Sequence, residues 1–211
     1  MRREEIVARL SREKIVAVIR ADNADEACRV SEACMKGGVS LIEVTFTVPQ
    51  AHKVIEQLYR SFSGSGLLIG AGTVLDPETA RIAQLSGASF IVSPNFNEDT
   101  VRLCNRYRIP SIPGALTPSE TARILESGAD MVKIFPGDVV GMQMVKDILG
   151  PFPQASVMVT GNVTLDNLRQ WLAAGVTAMG VGGAMTGPAK HGDYRAVEEN
   201  ARKFHDAVAG M

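Results

Sequence analysis

The chain has 211 residues, 45% of them hydrophobic and 21% charged, and its 22 basic and 23 acidic residues leave a net charge of -1. These proportions are those of a globular protein and argue against intrinsic disorder. Because the charges are balanced and form no basic stripe, neither a nucleic acid nor a membrane surface is expected as a partner. No membrane-spanning segment, signal peptide or Cys-x-x-Cys pair is recognised, so a cytoplasmic location is expected.

One local pattern recurs along the chain: a helical segment ends at glycine, and a short apolar strand follows at once. Glycine suits the end of a helix because it adopts the left-handed conformation without a Cβ clash. The strands that follow are nearly continuous apolar runs, which is typical of parallel strands buried on both faces. Four copies are plain, with glycines at positions 37–38, 87, 128 and 175.

In chain order, the sequence predicts a helix over residues 2–12, then eight strand–helix units, then a final helix over about 194–208. Asp76 and Thr117 each precede a proline and are expected to cap helices, and Thr164 is expected to cap a helix that runs through residue 171. The predicted strands begin near Ile15, Leu41, Leu67, Ser89, Ser111, Met131, Val157 and Thr177.

These units predict an α/β fold, a (β/α)₈ TIM barrel with an extra N-terminal helix, as a single domain over residues 1–211. Successive strand starts lie 20 to 26 residues apart, which is the length of one parallel strand with its crossover helix. A doubly wound open sheet is the alternative. It is disfavoured because no Gly-x-Gly-x-x-Gly turn follows the first strand.

Two charged residues interrupt otherwise apolar strands. Glu43 lies within residues 41–45 and Lys133 within residues 131–135, where core residues are expected. Because buried Lys and Glu are normally paired, one interpretation is a structural ion pair across the barrel. The other is catalytic, since a desolvated lysine is a nucleophile that forms a Schiff base with a ketone, and a carboxyl is a general acid/base. Together they suit carbon–carbon bond chemistry next to a carbonyl.

Polar residues cluster where the predicted strands end, which is where barrel enzymes carry their active sites. Gly72 permits a ligand to approach the backbone closely, and Thr73 offers a hydroxyl and an amide to a carboxylate. Arg20 ends the first strand, beside the second, and is either a surface residue or an anion clamp. Turn chemistry is the alternative explanation for the residues that close other strands, among them Pro94, Pro113 and Phe135.

The loops after the last two strands, residues 160–163 and 182–185, are rich in glycine. In barrels this pair of loops often binds phosphate through backbone amides, so a phosphate site is predicted, although tight turns would also account for the glycines. The three histidines fall in helical or surface stretches, so no metal site and no cofactor are expected. Covalent chemistry at Lys133 is therefore favoured over metal-assisted chemistry.

From about residue 15 to residue 187, the chain resembles the 2-keto-3-deoxy-6-phosphogluconate (KDPG) and 4-hydroxy-2-oxoglutarate (KHG) aldolase family. The resemblance lies in a series of short motifs. In order they are VIR at 18–20, GG at 37–38, IEVT at 42–45, GAGTVL at 70–75, IVSP at 91–94, IPG at 112–114, VKIFP at 132–136, GPF at 150–152 and TG at 160–161. The resemblance implies a (β/α)₈ class I aldolase that needs no metal and is usually a homotrimer.

The same resemblance implies roles for individual residues. Lys133 would be the Schiff-base lysine and Glu43 the acid/base, working partly through water. Gly72 and Thr73 would hold the pyruvate carboxylate. Three residues would shape the pocket, namely Pro94, Pro113 and Phe135. The phosphate loops would contribute Gly161, Asn162, Gly182, Gly183 and Ala184.

The chain departs from the family pattern at three positions. Thr47 stands where many members carry an arginine, two residues after the Glu-Val-Thr motif, and our hypothesis is that Arg20 supplies the missing cationic partner. Asn162 replaces a glycine of the family's Thr-Gly-Gly-Ile loop, and Ala184 stands where many members offer a serine hydroxyl. Because the last two changes fall in the predicted phosphate loops, an unphosphorylated or different keto acid becomes more plausible as the substrate.

The sequence thus predicts a class I aldolase whose partner is a small-molecule keto acid, cleaved reversibly to pyruvate and an aldehyde. Two alternatives stay open from the residues alone. The first is a phosphate-binding TIM-barrel isomerase or epimerase, in which Lys133 and Glu43 only transfer protons. The second is a non-catalytic barrel that binds a sugar acid, which two costly buried charges argue against.

Overall fold

The computed structural model describes residues 1–209, in which helices and strands alternate along the chain. The strands are β1 (Ile15–Ile19), β2 (Leu41–Thr45), β3 (Leu68–Gly72), β4 (Phe90–Val92), β5 (Ser111–Ile112), β6 (Gly114–Ala115), β7 (Val132–Ile134), β8 (Val157–Thr160) and β9 (Ala178–Val181). The helices are α1 (Arg3–Glu13), α2 (Ala24–Lys36), α3 (Ala51–Ser61), α4 (Pro77–Leu85), α5 (Glu98–Tyr107), α6 (Pro118–Glu126), α7 (Gly137–Leu149), α8 (Leu168–Ala173), α9 (Gly183–Thr186) and α10 (Tyr194–Val208), with a 3₁₀ helix at Gly187–His191.

All the strands belong to one parallel sheet in the order β5-β4-β3-β2-β1-β9-β8-β7-β6. Strands β5 and β6 are two halves of one barrel strand, separated by Pro113, which has no backbone N–H to donate. The Pro113 carbonyl accepts a hydrogen bond from Lys133 N at 2.8 Å, so the interrupted strand bridges the two ends of the sheet. The eight-stranded barrel is confirmed, and the doubly wound alternative is wrong.

The barrel has an apolar filling that is separate from the layer between strands and helices. Alternate strand residues point inward, so Val16, Leu41, Phe90, Met131 and Met158 are among the residues that pack together inside the barrel. Ile6 and Leu10 of α1 close this cluster from below. The extra N-terminal helix therefore plugs the end of the barrel opposite the ends where the strands finish.

The helix starts follow the capping signals with one exception. Asp76 Oδ1 accepts from Thr79 N at 2.6 Å, and Thr117 forms a capping box with Glu120. The prediction for Thr164 is wrong, because α8 begins only at residue 168, after a turn. The Thr164 carbonyl accepts from Leu168 N at 3.0 Å, while its own N–H donates to Asn167 Oδ1 at 2.9 Å.

Candidate active site

Glu43 and Lys133 both point into the barrel above its apolar filling. Each lies two residues beyond an inward-facing residue, Leu41 on β2 and Met131 ahead of β7, while their immediate neighbours pack outward against the helices. Glu43 is 1% exposed and Lys133 5% exposed. The two inward charges thus lie where the strands of the barrel approach their carboxyl ends.

The two buried charges do not neutralise each other as an ion pair. Among the ion pairs of residues 1–209, none includes Glu43 or Lys133. Lys133 Nζ instead lies 5.0 Å from the centroid of the Phe135 ring, within the range of a cation–π contact. The interpretation as a structural salt bridge across the barrel is therefore wrong.

One oxygen of the Glu43 carboxylate makes no hydrogen bond. Its Oε2 atom is buried and has no hydrogen-bond partner. An unsatisfied buried acceptor costs roughly 1–3 kcal/mol, and more when it is charged. Such an atom is free to accept a hydrogen bond from a hydroxyl of a bound molecule or to take its proton, which is what a general acid/base requires.

Gly72 makes room for this carboxylate. It pairs with Thr45 across β2 and β3, and a Cβ at position 72 would overlap Glu43 Oε1 and lie 2.6 Å from Glu43 Cδ. The absence of a side chain at residue 72 therefore serves the placement of Glu43 directly. The sequence had indicated only that this glycine opens the backbone to a ligand.

Replacing Gly72 by alanine is expected to lower kcat by roughly 100-fold, because the new methyl must displace the Glu43 carboxylate or shift β3. The free energy of unfolding should fall by roughly 1–3 kcal/mol through overpacking. Gly187→Ala is the matched control, since its φ is -52° and nothing lies within 4 Å of an added Cβ. Steady-state kinetics and urea unfolding measure both. Wild-type values for Gly72→Ala would refute the close contact.

Thr73 holds an unusual backbone conformation at the end of β3. Its φ is 58°, in the left-handed region, which costs a β-branched residue about 1–2 kcal/mol. The flanking backbone is held in place, since Phe46 N donates to Gly72 O at 2.8 Å and Val74 N to Val92 O at 3.2 Å. Strain of this kind concentrates at ligand-binding positions, in agreement with the expected binding role of Thr73.

A cavity of about 370 Å³ opens at the carboxyl ends of β1, β8 and β9, and we call it the inner cavity. It brings together seven of the predicted residues with Asp138 and Thr160, which the sequence analysis did not single out. The seven are Arg20, Phe135, Gly161, Asn162, Gly182, Gly183 and Ala184. Lys133 adjoins it through Phe135, whose ring centroid lies 5.0 Å from Lys133 Nζ.

Thr160 is a functional candidate that the sequence analysis placed in the predicted phosphate loop, residues 160–163, without giving it a role of its own. Its Oγ1 atom is buried without a hydrogen-bond partner, and it lies 2.4 Å or so from where a Cβ of Gly180 would be. The residue also lines the inner cavity. Its place at the end of a strand, before Gly161, was the available signal, because a hydroxyl there faces the mouth of the barrel.

The loop after β8 explains why asparagine is tolerated in place of glycine. Asn162 has a φ of 51°, and asparagine enters the left-handed region more readily than most residues. Its carbonyl accepts from Asn167 Nδ2 at 2.7 Å. The preceding Gly161, with φ 117°, is required because an added Cβ would lie 2.8 Å from Gly137 N. The conformation of the loop is thus compatible with asparagine at position 162.

Seven predicted site residues do not line the inner cavity. Glu43, Gly72, Thr73 and Lys133 are described above, and the other three lie as follows. Thr47 lines a neighbouring cavity of about 830 Å³, which we call the outer cavity. The backbone of Pro94 packs against Gly114: a Cβ at position 114 would overlap the Pro94 carbonyl and lie 2.9 Å from Asn95 N. Pro113 sits beside Lys133 through the backbone hydrogen bond already described. Of residues 1–209, Arg20 alone lines both cavities and so stands between them.

No cluster of three or more His, Cys, Asp or Glu side chains with the spacing of a metal site occurs among residues 1–209. In the same part of the chain, no helix combines the length and apolar character needed to span a bilayer. The three cysteines, Cys28, Cys34 and Cys104, are free thiols, and burial raises the pKa of both Cys34 and Cys104 to about 12.

Comparison with known proteins adds the family. A family model described as KDPG and KHG aldolase matches residues 6–200. The 2-dehydro-3-deoxy-phosphogluconate aldolase of Haemophilus influenzae is 38% identical over 171 residues, covering 81% of this chain and 80% of that protein. The enzyme of the same name from Treponema pallidum is 33% identical and covers 96% and 97%.

A solved structure agrees in fold and bears on the chemistry of the family. The KDPG aldolase of Legionella pneumophila, 30% identical, superimposes with a TM-score of 0.86 over 93% of this chain and 96% of that chain. That crystal structure holds pyruvate captured as a covalent carbinolamine intermediate. The matched family model, the relatives and the barrel geometry agree: the chain belongs to the KDPG and KHG aldolase family and is a carbon–carbon lyase, a class I pyruvate aldolase.

Proposed function

We propose that the protein reversibly cleaves a 2-keto-3-deoxy sugar acid, KDPG, KHG or both, with Lys133 as the Schiff-base lysine. The products are pyruvate and an aldehyde, glyceraldehyde 3-phosphate from KDPG or glyoxylate from KHG. The observation that carries this proposal is an inward-facing, 5% exposed lysine with no carboxylate partner, in a barrel of this family. A lysine in that setting is a nucleophile toward ketones.

Lys133, Glu43 and water supply all the groups that the cleavage reaction requires. Lys133 Nζ adds to the C2 carbonyl carbon, and the carbinolamine loses water to give an iminium. Glu43 takes the proton of the C4 hydroxyl as the C3–C4 bond breaks, and the electron pair of that bond moves toward the iminium nitrogen. The aldehyde leaves, and an enamine of pyruvate remains. Protonation at C3 and hydrolysis by water then release pyruvate and restore the amine.

Glu43 suits both proton transfers because its Oε2 has no competing donor. Glu43 is 1% exposed and lies above the apolar filling, so a proton moved to or from this carboxylate is exchanged with the substrate or with a water that enters with it. The same carboxylate serves dehydration of the carbinolamine, where the departing hydroxyl needs a proton.

The remaining predicted residues form two groups, one for each end of the substrate. Gly72 and Thr73 hold the pyruvate carboxylate, and Pro94, Pro113 and Phe135 shape the space around C2. The inner-cavity loops, with Gly161, Asn162, Gly182, Gly183 and Ala184, receive the aldehyde end, and Arg20 and Thr47 act at its rim. Ala184 has no hydroxyl, so an anion there depends on backbone amides and on cationic side chains.

The test is pyruvate release, followed with a coupled assay, across KDPG, KHG and the unphosphorylated sugar acid. We expect release from at least one, unaffected by a chelator, since the proposed steps use no metal. An isomerase or epimerase built on the same Lys133 and Glu43 would convert a sugar phosphate without forming pyruvate. Absence of pyruvate from all three substrates would contradict the aldolase assignment.

Assembly and location belong to the same proposal. We propose a homotrimer that works in the cytoplasm, in which residues 1–211 of each subunit form a single domain. The one closed sheet supports a single domain. A structure 31% identical to this chain, with a TM-score of 0.85, is a cage designed by fusing symmetric oligomeric domains, which supports a symmetric assembly. Sedimentation equilibrium tests the trimer, and a monomeric mass would contradict it.

A further inference from the structure

We propose that the hydroxyls of Thr45 and Thr47 position the Arg20 guanidinium to bind the anionic group at the aldehyde end of the keto acid. Thr47 is then a positioning residue for Arg20 rather than a direct ligand of the anion. The inference rests on the proposed function and deepens it, because it assigns the distal anion, a phosphate or a carboxylate, to one side chain.

The two threonines form a hydrogen-bonded chain with a defined direction. Thr45, 1% exposed, has its Oγ1 at 3.2 Å from Ile19 O and 2.7 Å from Thr47 Oγ1. A carbonyl only accepts, and a hydroxyl has one proton. Both contacts are satisfied together only when Thr45 donates to Ile19 and Thr47 donates to Thr45.

This direction decides what Thr47 binds. With its proton committed to Thr45, the Thr47 hydroxyl presents only lone pairs to the outer cavity. It therefore accepts from N–H or O–H donors and offers no hydrogen bond to a carboxylate or phosphate. A direct contact between Thr47 and the substrate anion is thus disfavoured, and a contact with a cationic donor is favoured.

Arg20 is the donor that we assign to this acceptor. It follows Ile19, whose carbonyl anchors the chain of hydroxyls, and it lines the outer cavity together with Thr47. Among the ion pairs of residues 1–209, none includes Arg20. Its guanidinium has five N–H groups, so one edge can donate to Thr47 while another binds an anion.

An anion bound in the inner cavity requires a positive charge nearby, and Arg20 supplies it. Of the described residues that line it, Arg20 is the one with a positive charge, and Asp138 at its rim is negative. Competing carboxylates lie on the other side, where Asp22, Asp25 and Glu26 line the outer cavity. In the proposed arrangement, the acceptor at Thr47 keeps the guanidinium at the end of β1, against the attraction of those carboxylates.

The experiment measures condensation of pyruvate with paired aldehydes and takes the ratio of their kcat/KM values. The phosphate pair is glyceraldehyde 3-phosphate and glyceraldehyde, and the carboxylate pair is glyoxylate and glycolaldehyde. Arg20→Ala should lower the ratio roughly 10- to 100-fold for whichever anion Arg20 binds, the size of a lost charged hydrogen bond. Thr47→Val should lower it roughly 3- to 10-fold, and Thr45→Val similarly.

Three further variants separate positioning from other effects. Thr47→Ser keeps the acceptor and should retain most of the wild-type ratio. Lys190→Met removes a charge of the same sign from the wall of the outer cavity, and a ratio equal to that of the wild type would exclude general electrostatic attraction. The double variant Arg20→Ala/Thr47→Val should show the ratio of Arg20→Ala alone, because Thr47 acts through Arg20.

The inference is overturned if the fold-changes of the two single variants multiply in the double variant, or if Thr47→Val leaves both ratios unchanged. It is also overturned if the wild type shows no preference for either anionic aldehyde. Borohydride trapping of pyruvate in each variant keeps this outcome separate from the proposed function. An adduct on Lys133 together with independent effects at positions 20 and 47 refutes only the positioning role. Lack of an adduct in the wild type refutes the aldolase mechanism itself.

Discussion

Lys133→Met is expected to lower kcat for keto-acid cleavage by at least roughly 10⁴-fold, because no other group in the site can form the Schiff base. Methionine matches the length of lysine and is apolar, so the barrel interior should stay packed. The measurement is pyruvate release with a coupled assay. Lys146→Met, on the exposed face of α7, is the matched control and should keep wild-type activity.

The stability of the same variant is informative. Lys133 is buried without an ion pair, so its replacement removes a charge whose desolvation is not compensated by a carboxylate. We therefore expect an unchanged or higher melting temperature for Lys133→Met. A folded variant that retains more than about 1% of wild-type kcat would show that Lys133 is not the nucleophile.

Glu43→Gln is expected to lower kcat by roughly 10²- to 10⁴-fold, the usual contribution of a general acid/base. Glutamine has nearly the same shape but cannot take the C4 hydroxyl proton. Trapping of pyruvate on Lys133 should still occur, although more slowly, since the nucleophile remains. Glu56→Gln on α3, at a residue 45% exposed in its side chain, is the matched control. Turnover near the wild-type value for Glu43→Gln would remove Glu43 from the mechanism.

Most of the fold is predictable from local sequence because the signals are local. Each observed barrel strand begins within one residue of its predicted start. At four of them, a glycine at a helix end followed by apolar residues marks the boundary. The proline at 113 was taken to close the fifth strand, whereas the strand resumes as Gly114–Ala115 to pair with β7. Pairing partners distant in sequence decide where a strand resumes, and a local pattern does not contain them.

The two inward charges were also predictable, because alternation within a strand places Glu43 and Lys133 on the face of Leu41 and Met131. That the two charges form no ion pair was not predictable, because an ion pair and a catalytic pair would both place the two residues on the inward face. The contact between Gly72 and Glu43 and the hydroxyl chain from Thr47 to the end of β1 depend on the register between strands. That register is a property of the closed barrel rather than of any one segment.

The most direct test of the central claim is borohydride reduction in the presence of pyruvate, followed by peptide mass spectrometry. The account predicts that the intact wild-type chain gains the mass of one reduced pyruvate, that the modified residue is Lys133, and that Lys133→Met gains nothing. A wild-type chain with no added mass, or with the adduct on another lysine, would contradict it.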